Sequence, residues 1–164
     1  MEKLWAPWRV EYIRNPGAGC FLCDGLRSKD DKKVLILERF ERAFTIMNRY
    51  PYNNGHVMIA PLRHVGLIEQ LNDDEILAIH HLISRVIKAL DHTMKPQGYN
   101  IGVNQGSVSG AGVVDHLHFH LVPRWQGDTN FMPVLSETKV VSEALVKTYE
   151  QIREGLNFLE GIRT

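Results

Sequence analysis

His116, His118 and His120 stand at every second position of the apolar run His116-Leu117-His118-Phe119-His120-Leu121-Val122. That alternation is the period of a β-strand. It predicts three imidazoles on one face, roughly 6–7 Å apart along it. Folding alone does not ask for them, because valine or threonine would serve a strand better. A neutral imidazole is a nucleophile near pH 7 and needs no base to activate it. It can attack phosphorus and hold a phosphoramidate intermediate. A second imidazole on the same face can donate a hydrogen bond to a phosphate oxygen or a leaving group. Just upstream, Gly106-Ser107-Val108-Ser109-Gly110-Ala111-Gly112 is a glycine-rich loop, whose backbone N–H groups can come close to phosphate. Histidine row and loop together predict phosphoryl or nucleotidyl transfer. The rival reading of the row is a metal site, since His-x-His on a strand is a familiar ligand pattern. The loop taken alone reads as an ordinary connection.

Other elements must hold this strand. Val34–Leu37 and Ala43–Met47 read as adjacent strands around a polar turn. Asn48–Gly55 is turn chemistry, and His56–Ala60 reads as a third strand stopped by Pro61. Asn72, with Glu75 three residues on, reads as the cap of a helix carrying Ile76, Ile79, Ile83, Val86 and Leu90, and ending before Pro96. Tyr99–Asn104 alternates like a strand. The histidine strand should end at Pro123. Leu145, Tyr149, Ile152 and Leu156 predict a closing amphipathic helix. The order predicts an α+β fold: a mostly antiparallel sheet of about five strands, a long helix after the third, and a C-terminal helix. A single domain over residues 1–164 is expected, with a turn-rich segment at 17–33, a core at 34–131 and the helical end at 136–164.

The 164 residues carry 19 basic and 19 acidic side chains, so the formal net charge is zero. That balance argues against binding a nucleic acid polymer or an anionic membrane, both of which call for a basic surplus. No stretch approaches the ~20 apolar residues of a bilayer span, and a cytoplasmic location is expected. Two cysteines, Cys20 and Cys23, are too few for a disulfide scaffold. In a reducing compartment a Cys-x-x-Cys pair reads as metal chemistry, a redox couple or two reduced thiols. His80, His81 and His92 fall on the predicted long helix, where solvation is expected.

The His116–Val122 stretch resembles the His-x-His-x-His-x-x motif of the histidine triad (HIT) superfamily, x being apolar. Asn48-Arg49, Gly55-His56-Val57, Pro61-Leu62-Arg63 and Asn104-Gln105-Gly106 resemble its Fhit-like branch. Leu4-Trp5-Ala6-Pro7-Trp8-Arg9 and Pro123-Arg124-Trp125-Gln126-Gly127-Asp128-Thr129-Asn130-Phe131 resemble a bacterial subgroup that includes diadenosine tetraphosphate (Ap4A) phosphorylases. The resemblance implies a HIT-like fold and His118 as nucleophile on the α-phosphate of an adenine nucleotide. An adenylyl-histidine would then pass to water or inorganic phosphate. It implies that His120 contacts the phosphate and assists the leaving group, and that His116 orients the strand or joins a metal site. Asn48 would bond the ribose hydroxyls, Asn104 a phosphate or the leaving group, and Trp125 would stack on a base or pack at the pocket mouth. Turn residue, strand-end cap and core aromatic are the competing readings of those three. A homodimer is expected on the resemblance alone.

Many HIT hydrolases carry Gln and Ser or Thr where this chain has Gly112 and Val113. Backbone N–H groups of Ala111, Gly112 and Val113 would then take over the phosphate contacts. The smaller side chain would leave room for an inorganic phosphate acceptor. Zinc-bearing members of the family take a ligand from a histidine placed like His64 and another from the first triad histidine. The resemblance thus implies a structural Cys2His2 zinc site made of Cys20, Cys23, His64 and His116. A metal bound by all three triad histidines is the alternative.

Overall fold

The computed structural model describes residues 19–128 and 144–162. The tryptophan-rich opening segment and Thr129-Asn130-Phe131 lie outside the described residues. Five strands, β1 (Ile36–Arg39), β2 (Ala43–Met47), β3 (Val57–Pro61), β4 (Gly98–Val103) and β5 (Phe119–Arg124), form one sheet in the order β1-β2-β3-β5-β4. All neighbours are antiparallel. β5 is inserted between β3 and the edge strand β4, which places it near the middle of the sheet. The expected α+β architecture is present.

Among the described residues, four α-helices accompany the sheet: α1 (Phe21–Arg27), the single turn α2 (Asp31–Val34), α3 (Asp73–Thr93) and α4 (Leu145–Gly161). α3 starts at the expected cap. The Asn72 side chain accepts from the Glu75 N–H, and the Glu75 carboxylate accepts from the Asn72 N–H. Ile79, Leu82, Ile83, Val86, Ala89 and Leu90 line its buried face, while Ile76 is exposed. Burying each of the leucine, isoleucine and valine side chains stabilises by roughly 1.5–3 kcal/mol. α4 buries Tyr149, Ile152 and Leu156 against α3 and β1. The two helices cross tightly at Gly155, where a Cβ would stand 2.5 Å from the Ala89 carbonyl oxygen.

Four local expectations are corrected. The segment around the cysteines is helical, with Cys20 as the N-cap of α1. β1 begins at Ile36, not Val34, because Leu35 caps α2 in the left-handed conformation at φ +65°. Pro61 is the last residue of β3, paired opposite Ala43, and β5 runs one residue past Pro123, which pairs opposite Tyr99. The histidine strand starts late: pairing begins at Phe119, and His116 to His118 run into it as an irregular segment. Leu117 N–H donates to the Val65 carbonyl at 2.7 Å, so this segment is held by the loop after β3 instead of a ladder.

Candidate active site and metal centre

The late start of β5 splits the histidine row. His118 and His120 share a cavity, with ring centroids 5.0 Å apart and planes at 69°. The cavity encloses about 370 Å³, within the range of small-ligand pockets. Phe21, Leu35, Ile46, Met47, Tyr52 and Met58 supply much of its apolar wall, and Asn48 and Arg49 its polar mouth. His118 is buried, and its Nδ1–H donates to the carbonyl oxygen of His116 at 2.9 Å. Nε2, with a bare lone pair, is the nitrogen left to face the cavity. Burial holds the His118 imidazole below its usual pKa, partly offset by that hydrogen bond. A neutral, oriented imidazole is the form that can act as a nucleophile.

His120 is oriented by His56, which is completely buried at the head of β3. The Tyr52 N–H donates to His56 Nδ1 at 3.1 Å, which puts the His56 proton on Nε2. His56 Nε2–H then donates to His120 Nδ1 at 2.9 Å. Neutral His120 consequently holds its proton on Nε2. The Tyr52 ring stacks on His120 at 5.7 Å and closes the side of the relay. In the sequence His56 stands at the start of a strand and within the Gly55-His56-Val57 resemblance, with no role of its own assigned to it. The available signal was a polar ring at the end of an otherwise apolar strand, two positions before Met58, the cross-strand partner of His120.

His116 faces the other way. Its Nδ1 lies 3.3 Å from Cys20 Sγ and 3.4 Å from Cys23 Sγ, and Cys23 Sγ lies 3.2 Å from His64 Nδ1. The four donor atoms all fall within 4.8 Å of one another. A tetrahedral zinc ion with ordinary Zn–S and Zn–N bonds sets sulfur and nitrogen ~3.5 Å apart, so the donor set fits. His116 Nε2–H donates to the Pro61 carbonyl at 2.9 Å, the outer hydrogen bond that leaves Nδ1 bare for a metal. Burial, and Cys20 alongside, push the Cys23 thiol up from its ordinary value, a penalty that a bound cation would offset. His116 does not line the cavity that holds the other two triad histidines.

These geometries match a known pattern. A family model, described as HIT domain, matches residues 28–127. The chain belongs to the HIT family. It thereby joins a family of nucleotide-processing enzymes. It is 31% identical over 157 residues to the AP-4-A phosphorylase of Mycobacterium tuberculosis, covering 90% of this chain and 80% of that protein. It is 26% identical to an adenosine 5'-monophosphoramidase of Candida albicans, covering 85% and 92%. Its fold is that of a zinc-bound histidine triad family protein from Mycobacterium smegmatis, with TM-score 0.69, 19% identity, and 88% and 97% of the chains covered. Among the described residues, no helix is long and apolar enough to cross a membrane.

Within this HIT domain the remaining expected residues are dispersed. Asn48, Gly112 and Val113 line the cavity with His118 and His120, whereas Asn104 and Ala111 do not. Trp125 lies beyond the far end of β5, where its indole N–H donates to the Met94 carbonyl at 3.3 Å. It is not among the residues that line the cavity. His80 and His92 are exposed, while His81 is half-buried against Phe40. Phe21, Leu35 and Tyr52 are cavity residues the sequence did not announce. They come from three segments that only the fold brings together.

Proposed function

We propose that this HIT protein transfers an adenylyl group from an adenosine polyphosphate such as Ap4A through His118. The single observation that carries this reading is a buried His118 whose Nδ1 is engaged, leaving Nε2 to the 370 Å³ cavity. Nε2 attacks the α-phosphorus, the P–O bond to the leaving polyphosphate breaks, and an adenylyl-histidine forms. His120, with its proton on Nε2, hydrogen-bonds the departing oxygen. Asn48 holds the ribose hydroxyls at the mouth, and the Gly112 and Val113 backbone carries the phosphate oxygens. Inorganic phosphate then takes the adenylyl group, giving ADP alongside ATP. The small Gly112 side and the M. tuberculosis relative support this acceptor. Hydrolysis of an adenosine phosphoramidate is the second reading, supported by the C. albicans relative.

Cys20, Cys23, His64 and His116 would hold zinc as a structural ion. When bound, it supplies a fixed joint between α1 and the entry to β5. A homodimer is part of the proposal: β4 is an edge strand with Ile101 half exposed, able to pair with a second copy. The location is taken as cytoplasmic, with no polymeric nucleic acid partner. Incubating the protein with Ap4A, with and without phosphate, tests the function. Expected are ADP and ATP only when phosphate is present, and no turnover by His118→Ala. Undiminished turnover by that variant would overturn the reading.

A further inference from the structure

We propose that Asn53 and Asp128 form a latch that positions the His56–His120 pair, so that both are positioning residues for the reaction. The inference rests on the role proposed for His120. Neither residue lines the cavity, so any influence on catalysis must travel through other side chains.

The latch is built at the end of β5 remote from His118. The Asp128 carboxylate, with its side chain only 8% exposed, accepts two hydrogen bonds from Arg124, at 2.6 Å from Nε and 2.9 Å from Nη2. It also accepts from the Trp125 N–H at 3.1 Å and from Asn53 Nδ2 at 2.8 Å. Buried, charge-assisted and multiply bonded, this carboxylate has a fixed place. The same Asn53 amide donates to the Pro123 carbonyl at 3.1 Å, tying the turn to β5 itself.

From Asn53 the tie runs directly to the relay. The Asn53 carbonyl accepts the His56 N–H at 3.2 Å, and the His56 carbonyl accepts the Asn48 N–H at 3.0 Å. One turn thereby carries the buried donor to His120 at its end and the Asn48 side chain at its start. Gly55 lets this turn lie flat on β5: φ is +73°, and a Cβ would stand 3.0 Å from Pro123 Cγ. The Tyr52 N–H that sets the His56 tautomer comes from the same turn. A turn displaced by a few tenths of an ångström lengthens both the Tyr52–His56 and the His56–His120 bonds. His120 then loses the hydrogen bond from His56 that favours its proton on Nε2.

The experiment combines steady-state kinetics with nitrogen-detected NMR of ¹⁵N-histidine-labelled protein, which reads each ring's tautomer without substrate. The wild type should show His56 and His120 as Nε2–H tautomers. Asn53→Ala should give mixed tautomers at His120 and a fall in kcat of about tenfold, and because Asn48 and Tyr52 of the same turn line the cavity, KM should rise as well, by less than kcat falls. Asp128→Asn, which keeps an acceptor for the Asn53 amide, should retain kcat within about threefold of wild type. Wild-type tautomers and wild-type kcat in folded Asn53→Ala would overturn the latch, whatever its melting temperature. If Asn53→Ala does not fold, Asn53→Ser carries the same measurements. A wild type that turns over neither Ap4A nor a phosphoramidate would refute the proposed function, and the tautomer spectra would still decide the latch.

Discussion

Gly66→Ala tests whether the loop after β3 sets the position of the catalytic segment. The missing Cβ of Gly66 would stand 2.8 Å from the Val114 carbonyl oxygen and 3.2 Å from Asp115 Cα. Both are backbone atoms and cannot rotate aside. Restoring ordinary contact requires residues 114–116 to move by about half an ångström, and Leu117 is tied to the adjacent Val65. Two opposed terms act on stability. Overpacking costs about 1–3 kcal/mol, while the stiffer unfolded chain returns about 0.4–1 kcal/mol. The net loss of roughly 1–2 kcal/mol corresponds to a fall in Tm of roughly 2–8 °C. The larger effect should be on rate, since His118 follows directly and a 1 Å misplacement can cost ~100-fold. About tenfold in kcat is expected for half that displacement. Differential scanning fluorimetry and phosphate-dependent Ap4A turnover at 20 °C measure the two effects. A variant with lowered Tm and unchanged kcat would refute the idea that this loop positions His118.

His56→Phe keeps the ring and removes the donor to His120 Nδ1. It should lower kcat about 10–100-fold with little change in KM, read in the same turnover assay. Cys20→Ala should abolish stoichiometric zinc, measured by mass spectrometry of the metal. It should also remove about 4 kcal/mol of stability under conditions where the ion is a thousandfold above its Kd. Two hydrogen bonds from Arg63, at 2.6 Å each, hold the buried Glu75 carboxyl below the ordinary glutamate range. A depressed carboxylate stabilises the fold above its unfolded pKa of ~4.3 and loses that contribution as pH falls through its folded value. Glu75→Gln should therefore be less stable than wild type at pH 7 by about 1–2 kcal/mol, allowing for the half-exposed Arg63. The gap should close as pH falls from the unfolded value through the lower folded one, and urea titrations across pH measure it.

The sheet, both main helices and the α3 capping box could be read in the sequence because local periodicity carries them. Short, nearly continuous apolar runs, buried at every position, identify β2 and β3, and Asn72 with Glu75 marks the start of α3. Alternation failed at His116 because the period assumes a continuous ladder, and the partner there is the Val65 carbonyl of an irregular loop. One unpaired step re-aims one imidazole of three. Trp125 illustrates the opposite limit. Its place after β5 was legible, but its partner Met94 is brought to it by the end of α3, far away in the chain. His56 was hidden for the same reason, since a buried donor to another side chain is a property of two paired strands rather than of either segment.

The split of the triad bears on how strongly metal and chemistry are coupled. His116 uses three atoms at once: Nδ1 toward the two thiols, Nε2 to the Pro61 carbonyl, and its own carbonyl oxygen to His118 Nδ1. A metal on Nδ1 therefore touches the nucleophile through one residue's backbone. That path has two further anchors that do not need the ion, the Pro61 bond and the Leu117–Val65 bond at 2.7 Å. Losing the metal frees the ring on one side only and leaves the carbonyl pinned from both neighbours. α1 is anchored without the ion at its C-terminal end, where Arg39 donates to the Leu26 and Gly25 carbonyls, but its N-terminal end carries both thiols: Cys20 is its N-cap, and Cys23 lies one turn on. α1 contributes Phe21, Asp24 and Gly25 to the cavity wall. Metal loss should accordingly loosen the wall more than the nucleophile, raising KM further than it lowers kcat in chelated protein held below its lowered Tm. A kcat lost outright with KM unchanged would mean that the His116 carbonyl, and not α1, is the element the metal holds in place.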